Sequence, residues 1–331
     1  GRKFLTFEDG TRSYFPTRVP KTVKFRIDKS NQADQYARFY AQEVVDAING
    51  LNLPRYGLGN YVHASPHEPP TQAEAKQLQD LSRAGKRLMG FCRTNLFKRL
   101  ESSGQVFIES VQRHILRNYI FIYAIENDKA LPIGTQDMGL LDARINDEDD
   151  NTGVGSDLFD EEDGSEERPE LETNELRTEG DFKARAAEVY AKYETQYRRR
   201  FKWLRPPLFV KTLSTDLLTD AQALHNVLTR CGKWNPDQDT KLKALYELLN
   251  KRHSNEKIIV FTQFADTVRY LETHLRARGV AKFAGVTGDT PDPTASAWRF
   301  SPVSNNKRGL IRPEEELRVV VATDVLSEGQ N

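Results

Sequence analysis

The chain has 331 residues, enough to bury two hydrophobic cores, or one core with an insertion. Lysine plus arginine and aspartate plus glutamate number 48 each, so overall charge gives no argument for a polyanionic partner, and any basic surface has to be local. Cys92 and Cys231 lie far apart and in no metal-ligand spacing, which suits a reducing compartment and predicts a cytoplasmic protein. No apolar run reaches the length of a membrane span, and Gly1-Arg2-Lys3-Phe4 lacks the apolar core of a signal peptide.

In chain order, Pro16 and Pro20 hold the start extended, and Val23, Phe25 and Ile27 alternate with Lys24 and Arg26 as in a half-buried strand. Asp28 or Ser30 can cap one helix carrying Ala33, Tyr36, Ala37, Tyr40, Val44, Val45 and Ile48, with Gly50 to end it. Residues 51–70 read as a loop. His63 and His67 stand four apart, a metal-ligand spacing on a helix, but Pro66, Pro69 and Pro70 argue against a helix, so a solvated loop is expected. Thr71 caps a helix with Leu78, Leu81 and Leu88 that runs on through Leu96 and Phe97. Arg93, Lys98 and Arg99 interleave there, either as phosphate contacts or as a solvated face. Glu101-Ser102-Ser103 breaks the pattern before a long apolar helix bearing Ile108, Val111, Ile115, Tyr119 and Ile122.

Asp142 to Gly180 crowds acidic residues among glycines and has little to bury against the entropy of ordering, which predicts a mobile acidic linker. From Asp181 the spacing predicts one helix reaching Leu204, with Phe182, Ala186, Val189, Tyr193, Tyr197 and Phe201 on its apolar stripe. Its aromatics are either core or a single-strand-binding surface, and Arg198 and Arg199 are the candidate nucleic-acid contacts. Helices follow at Thr215 to Arg230 and Asp239 to Asn250, the second led by Asn235-Pro236-Asp237.

Lys257 to Phe261 is too short for a helix and rich in β-branched residues, as in a strand buried on both faces. Val268, Leu271 and Leu275 give the next helix, ending at Gly279. Lys282 to Val286 and Leu317 to Ala322 give two more strands, closed by Thr287-Gly288-Asp289 and Thr323-Asp324. Strands alternating with helices imply a parallel sheet, and ligands bind at the carboxyl ends of such strands.

Three of these stretches resemble motifs of one family. Ile259-Val260-Phe261-Thr262-Gln263-Phe264 is similar to motif IV of superfamily 2 helicases, in particular the SNF2-related, RapA-like translocases. Thr287-Gly288-Asp289 is similar to the family's small glycine motif, and Ala322 to Asn331 to its motif V. Asp239-Thr240-Lys241-Leu242 resembles the lysine-containing segment that precedes motif IV. The resemblance implies an α/β chain, a partial RecA-like parallel sheet preceded by a mostly helical insertion. It divides the chain into the exit of lobe one (1–29), a helical insertion (30–141), the acidic linker (142–180), a further helical region (181–253) and the start of lobe two (254–331).

The function implied is that of a DNA-tracking ATPase dependent on ATP and Mg²⁺, with RNA left open as the nucleic acid. Gln263, Gly288 and Thr323 would meet the nucleic-acid backbone, and Gly329 and Asn331 the nucleotide. The phosphate loop, Gly-x-x-x-x-Gly-Lys-[Ser/Thr], does not occur in the sequence, nor does an Asp-Glu pair in suitable context after an apolar strand, so the chain alone is expected to be inactive. Asp324 stands where many family members have arginine, and Ser301 to Arg312 is longer than the family's spacing. A second reading is a non-catalytic module whose helical region, Ser30 to His253, docks a protein partner.

Overall fold

A computed structural model describes residues 4–6, 12–14, 19–28, 30–31, 33–133 and 176–323. Residues 134–175, which hold most of the acidic run, and residues 324–331, which include Asp324, Gly329 and Asn331, lie outside the described residues. The chain is mixed α/β. A short antiparallel pair, β1 (Phe4–Thr6) and β2 (Arg12–Tyr14), precedes a helical body and a three-stranded parallel sheet.

Two helices in tandem organise the body. Helix α3 (Gln72–Ser102) starts at a capping box: Glu74 N–H donates to the Thr71 hydroxyl, and Thr71 N–H donates to the Glu74 carboxylate. It stops at Ser103, whose backbone is extended, and α4 (Gly104–Glu126) begins at once. The apolar series from Ile108 to Ile122 is buried, as its period predicts. Against α4 pack α5 (Glu179–Thr195), opened by a Thr178–Asp181 capping box, and α6 (Thr212–Cys231). Before them, α1 (Gln35–Phe39) and α2 (Gln42–Asn49) also pack on α6.

The body departs from the sequence reading in three places. Residues 19–28 form no strand; Phe25 and Ile27 still turn toward the core, but as an unpaired extended segment. The single helix expected near residues 30–50 is two helices. Asp34, and neither Asp28 nor Ser30, caps the first, and extended backbone at Ala41 separates them. The bend lets Tyr36 and Phe39 reach Trp234, at 5.3 and 5.4 Å between ring centroids, while Val44 and Ile48 stay buried. The helix expected to reach Leu204 ends at Thr195. A 3-10 turn, Arg198–Arg200, leads into β4 (Lys202–Leu204), which pairs antiparallel with β3 (Leu131–Ile133). Strand pairing overrides the helical period here, and Trp203 Nε1 fixes the turn by donating to the Arg198 carbonyl at 2.9 Å.

Helix α7 (Thr240–Glu247) is capped by Asp239 and widens into a π-turn at Leu248–Arg252 before the sheet begins. Strands β5 (Ile258–Phe261), β6 (Phe283–Val286) and β7 (Val319–Ala322) are parallel in the order β5–β7–β6. Helix α8 (Ala265–Ala277) crosses one face with Val268, Leu271 and Leu275 buried, and it ends before Gly279, at φ +80°. Phe300, the last residue of α9 (Pro293–Phe300), and Leu317 cover part of the other face. The central strand is wholly buried. The expectation that Lys257 to Phe261 is buried on both faces is corrected: β5 is an edge strand, with Ile259 and Phe261 44% and 55% exposed on the face that α8 does not cover. No helix among the described residues is long and apolar enough to cross a membrane.

A Cβ on Gly104 would lie 2.2 Å from the Trp234 ring. Trp234 cannot yield, because Tyr36 and Phe39 flank it and its Nε1 donates to the Tyr270 hydroxyl at 3.0 Å. Gly104→Ala should therefore cost about 1–3 kcal/mol in urea unfolding, whereas Gly309→Ala, which meets nothing, should change stability by less than about 0.5 kcal/mol. At the start of α3, hydrogen bonds from Arg205 hold the Glu74 carboxyl down at about 2, against the opposing effect of burial. Because the folded value is lowered, this stabilisation is present above about pH 4.5 and is lost as pH falls toward 2. Glu74→Gln should flatten the acid limb of the stability curve in that window.

Candidate functional site at the carboxyl edge of the sheet

Parallel pairing brings three chain ends together. Thr262 N–H donates to the Ala322 carbonyl at 3.0 Å, and Thr323 N–H donates to the Val286 carbonyl at 3.1 Å. The ladder thus runs to the last residue of each strand, and the segments after β5, β7 and β6 leave from one edge. Gln263 is half-buried there, Thr323 is buried and Gly288 is exposed. The Thr287–Thr290 turn closes on itself: Thr287 N–H donates to Thr290 Oγ1 at 2.9 Å, and Thr290 N–H to the Thr287 carbonyl at 3.0 Å. The amides of Thr262, Thr287 and Thr323 are therefore engaged. Among the described residues, nothing in the protein accepts from Gly288 N–H or pairs with the Thr323 hydroxyl.

The helical body meets this edge at the end of α3. Ser102 Oγ lies 2.7 Å from Thr267 Oγ1 and 3.2 Å from Thr262 Oγ1. Lys241 caps the carboxyl end of α3, donating to the Ser102 carbonyl at 3.1 Å and to the Glu101 carbonyl. Burial pushes the Lys241 ammonium pKa down from its ordinary value. The lysine singled out by resemblance thus joins the second helical region to α3. Asp239 beside it accepts from the Tyr36 and Tyr270 hydroxyls at 3.3 and 2.8 Å. Burial, reinforced by that carboxylate, pushes both phenols well above their ordinary range.

A buried ion cluster lies in the first turn of α8. The Asp266 side chain is 2% exposed and accepts from Arg113 of α4 at 2.8 Å, from Arg99 of α3 at 3.2 Å and from Arg269 at 3.1 Å. The Arg99 guanidinium also lies over the Phe264 ring, 4.5 Å from its centroid. This corrects the placement of Arg99 on a phosphate-binding or solvated face: it is buried in the joint between body and sheet.

Of the residues singled out from sequence, Gln263, Gly288 and Thr323 converge on the edge. Arg198 and Arg199 do not: they are exposed on the 3-10 turn between α5 and β4, with Arg198 5.7 Å from the centre of the Trp203 ring. Gly329 and Asn331 lie outside the described residues. His63 and His67 line an open cleft of about 490 Å³, with Pro206, Pro207, Phe209 and Lys211. Asp266, Arg113 and Arg269 were missed by sequence reasoning. Asp266 carried one signal, an acid in a helix's first turn, but no spacing links it to arginines 153 and 167 residues away.

No family profile, no curated protein and no solved structure matches the chain.

Removing one partner from a buried ion cluster leaves the others uncompensated. Asp266→Ala should cost about 3–5 kcal/mol in urea unfolding, while Asp289→Ala, at the exposed end of the same charge chain, should cost no more than about 1 kcal/mol.

Proposed function

We propose that this chain is part of a nucleic-acid-dependent ATPase, an SNF2-related translocase of helicase superfamily 2, and that the sheet's carboxyl edge is its grip on the backbone of DNA. One observation carries the reading. Gln263, Gly288 and Thr323 each stand in a stretch that resembles a different helicase motif, and all three leave adjacent parallel strands at one edge. A hydroxyl and a glycine amide without a partner among the described residues suit phosphate oxygens, and neither offers the bidentate pattern that reads a base edge. In this reading the partial RecA-like sheet presents the contacts, and the helical body fixes where they stand.

Arg198 and Arg199 form a second, separate contact in this reading. Exposed arginines beside a half-buried tryptophan suit a phosphate chain running past the body.

Gly329 and Asn331, which the resemblance assigns to the nucleotide, lie outside the described residues. The sequence has no phosphate loop, and the described residues hold no group of three or more histidine, cysteine or acidic side chains able to bind a metal. No hydrolytic step is assigned to this chain, and the purified chain should release no phosphate from ATP, with or without DNA.

The test is DNA binding by fluorescence anisotropy. The chain should bind duplexes of unrelated sequence with similar affinity, and the affinity should fall with salt. Thr323→Ala removes one hydroxyl and leaves the laddered amide in place, so it should weaken binding by about 0.5–1.5 kcal/mol. Arg198→Ala and Arg199→Ala should each lower the salt slope by about 0.9. Unchanged affinity in Thr323→Ala, at unchanged stability, would sink the assignment of this edge.

A further inference from the structure

The turn after β6 is tied to the helical body through charged side chains in series. Asp266 Oδ2 accepts from Arg113 Nη2 at 2.8 Å and from Arg99 Nη1 at 3.2 Å. Its other oxygen, Oδ1, accepts from Arg269 Nη1 at 3.1 Å. Arg269 then reaches outward, and its Nη2 donates to Asp289 Oδ2 at 2.7 Å. Asp289 belongs to the Thr287–Thr290 turn, and its side chain is half exposed.

The two ends of this bridge differ. Asp266 keeps two buried arginine partners without Arg269, so the inner end is a fixed point set by α3 and α4. The outer end is an exposed carboxylate on a surface turn, where a freely moving ion pair contributes little. Arg269 is not freely moving. One nitrogen is already held by Asp266, so less side-chain entropy is lost in closing on Asp289, and a planar guanidinium passes orientation from one carboxylate to the other. The residue between Thr287 and Asp289 is Gly288, exposed, with an amide that no described residue accepts from.

We propose that Arg269 is a positioning residue for nucleic-acid binding: it anchors Asp289 to the buried Asp266 and so sets the turn that presents Gly288 to a phosphate of the backbone. This rests on the reading of the edge as a DNA grip. The bridge makes the turn an extension of the helical body, so a shift of α3 or α4 moves the contact to the nucleic acid with it.

A rival role for Arg269 gives opposite signs. If Arg269 left Asp289 to bind phosphate itself, Arg269→Gln would weaken binding and lower the salt slope by about 0.9, and Asp289→Asn would tighten binding by removing a negative charge. Positioning predicts that Arg269→Gln and Asp289→Asn each weaken duplex binding about three- to tenfold. The double variant should be no weaker than the worse single one, and the salt slope should be unchanged. Tighter binding by Asp289→Asn, or additive losses, would overturn the proposal.

Amide hydrogen exchange on the DNA-free protein tests the anchor by itself. Exchange at Thr287 and Thr290, whose amides are bonded within the turn, should quicken in both variants, while the α4 amides keep wild-type protection as the control for folding; unchanged exchange at both threonines overturns the anchor. If the wild-type chain binds no DNA, the reading of the edge fails and the ligand assigned here goes with it, while exchange still decides whether Arg269 holds the turn.

Discussion

One carboxylate constrains how the two parts of this molecule can sit. Asp266 is charged and almost wholly removed from water, at the start of the helix that crosses the sheet. Such a group is tolerated only where cations and donors replace its hydration. Its partners come from α3, from α4 and from its own helix, so the sheet cannot slide on the body without stripping the charge of a partner. Buried ion pairs are poor sources of net stability and better at fixing register. The stability comes from the apolar core, which runs without a break from Phe39 and Phe107 in the body to Val319 and Val321 in the central strand.

The same division of labour recurs around Asp239. It caps α7, accepts from Tyr36 and Tyr270, and stands two residues from the lysine that closes the carboxyl end of α3. Trp234 completes this second joint by lying against the α4 glycine that follows the Ser103 break. Both joints therefore converge on the α3–α4 junction. That break is the pivot from which one helix goes out along the body and the other returns, and the sheet's carboxyl edge is held against it by Ser102.

The sequence made local features visible and hid those made by distant partners. Capping at Thr71, the break at Ser103, the three sheet strands and the parallel pairing all follow from local pattern and turn chemistry, and all are present. The failures share one cause. The bend at Tyr40-Ala41, the early end of α5 and the half-exposed β5 depend on what lies across the interface, which periodicity does not carry. The edge residues were legible because they sit directly after strands. The buried arginines were not, because an arginine inside an amphipathic helix has the same spacing whether it faces water or Asp266.

The ladder also limits what the edge can offer a ligand. A parallel sheet consumes the amide of each residue that extends a strand, and here it takes those of Thr262 and Thr323. Thr287 gives its amide to Thr290 within the turn. Among the described residues, the Thr323 hydroxyl next to a buried strand and the Gly288 amide on an exposed turn remain without a protein partner for a polyanion to use. Neither is a bidentate group of the kind that distinguishes base edges. In the proposed reading, such a grip is indifferent to sequence and depends on the spacing between its two points. That spacing is set by strand pairing at Thr323 and by the Asp289–Arg269–Asp266 bridge at Gly288, so its precision derives from the joint between sheet and body.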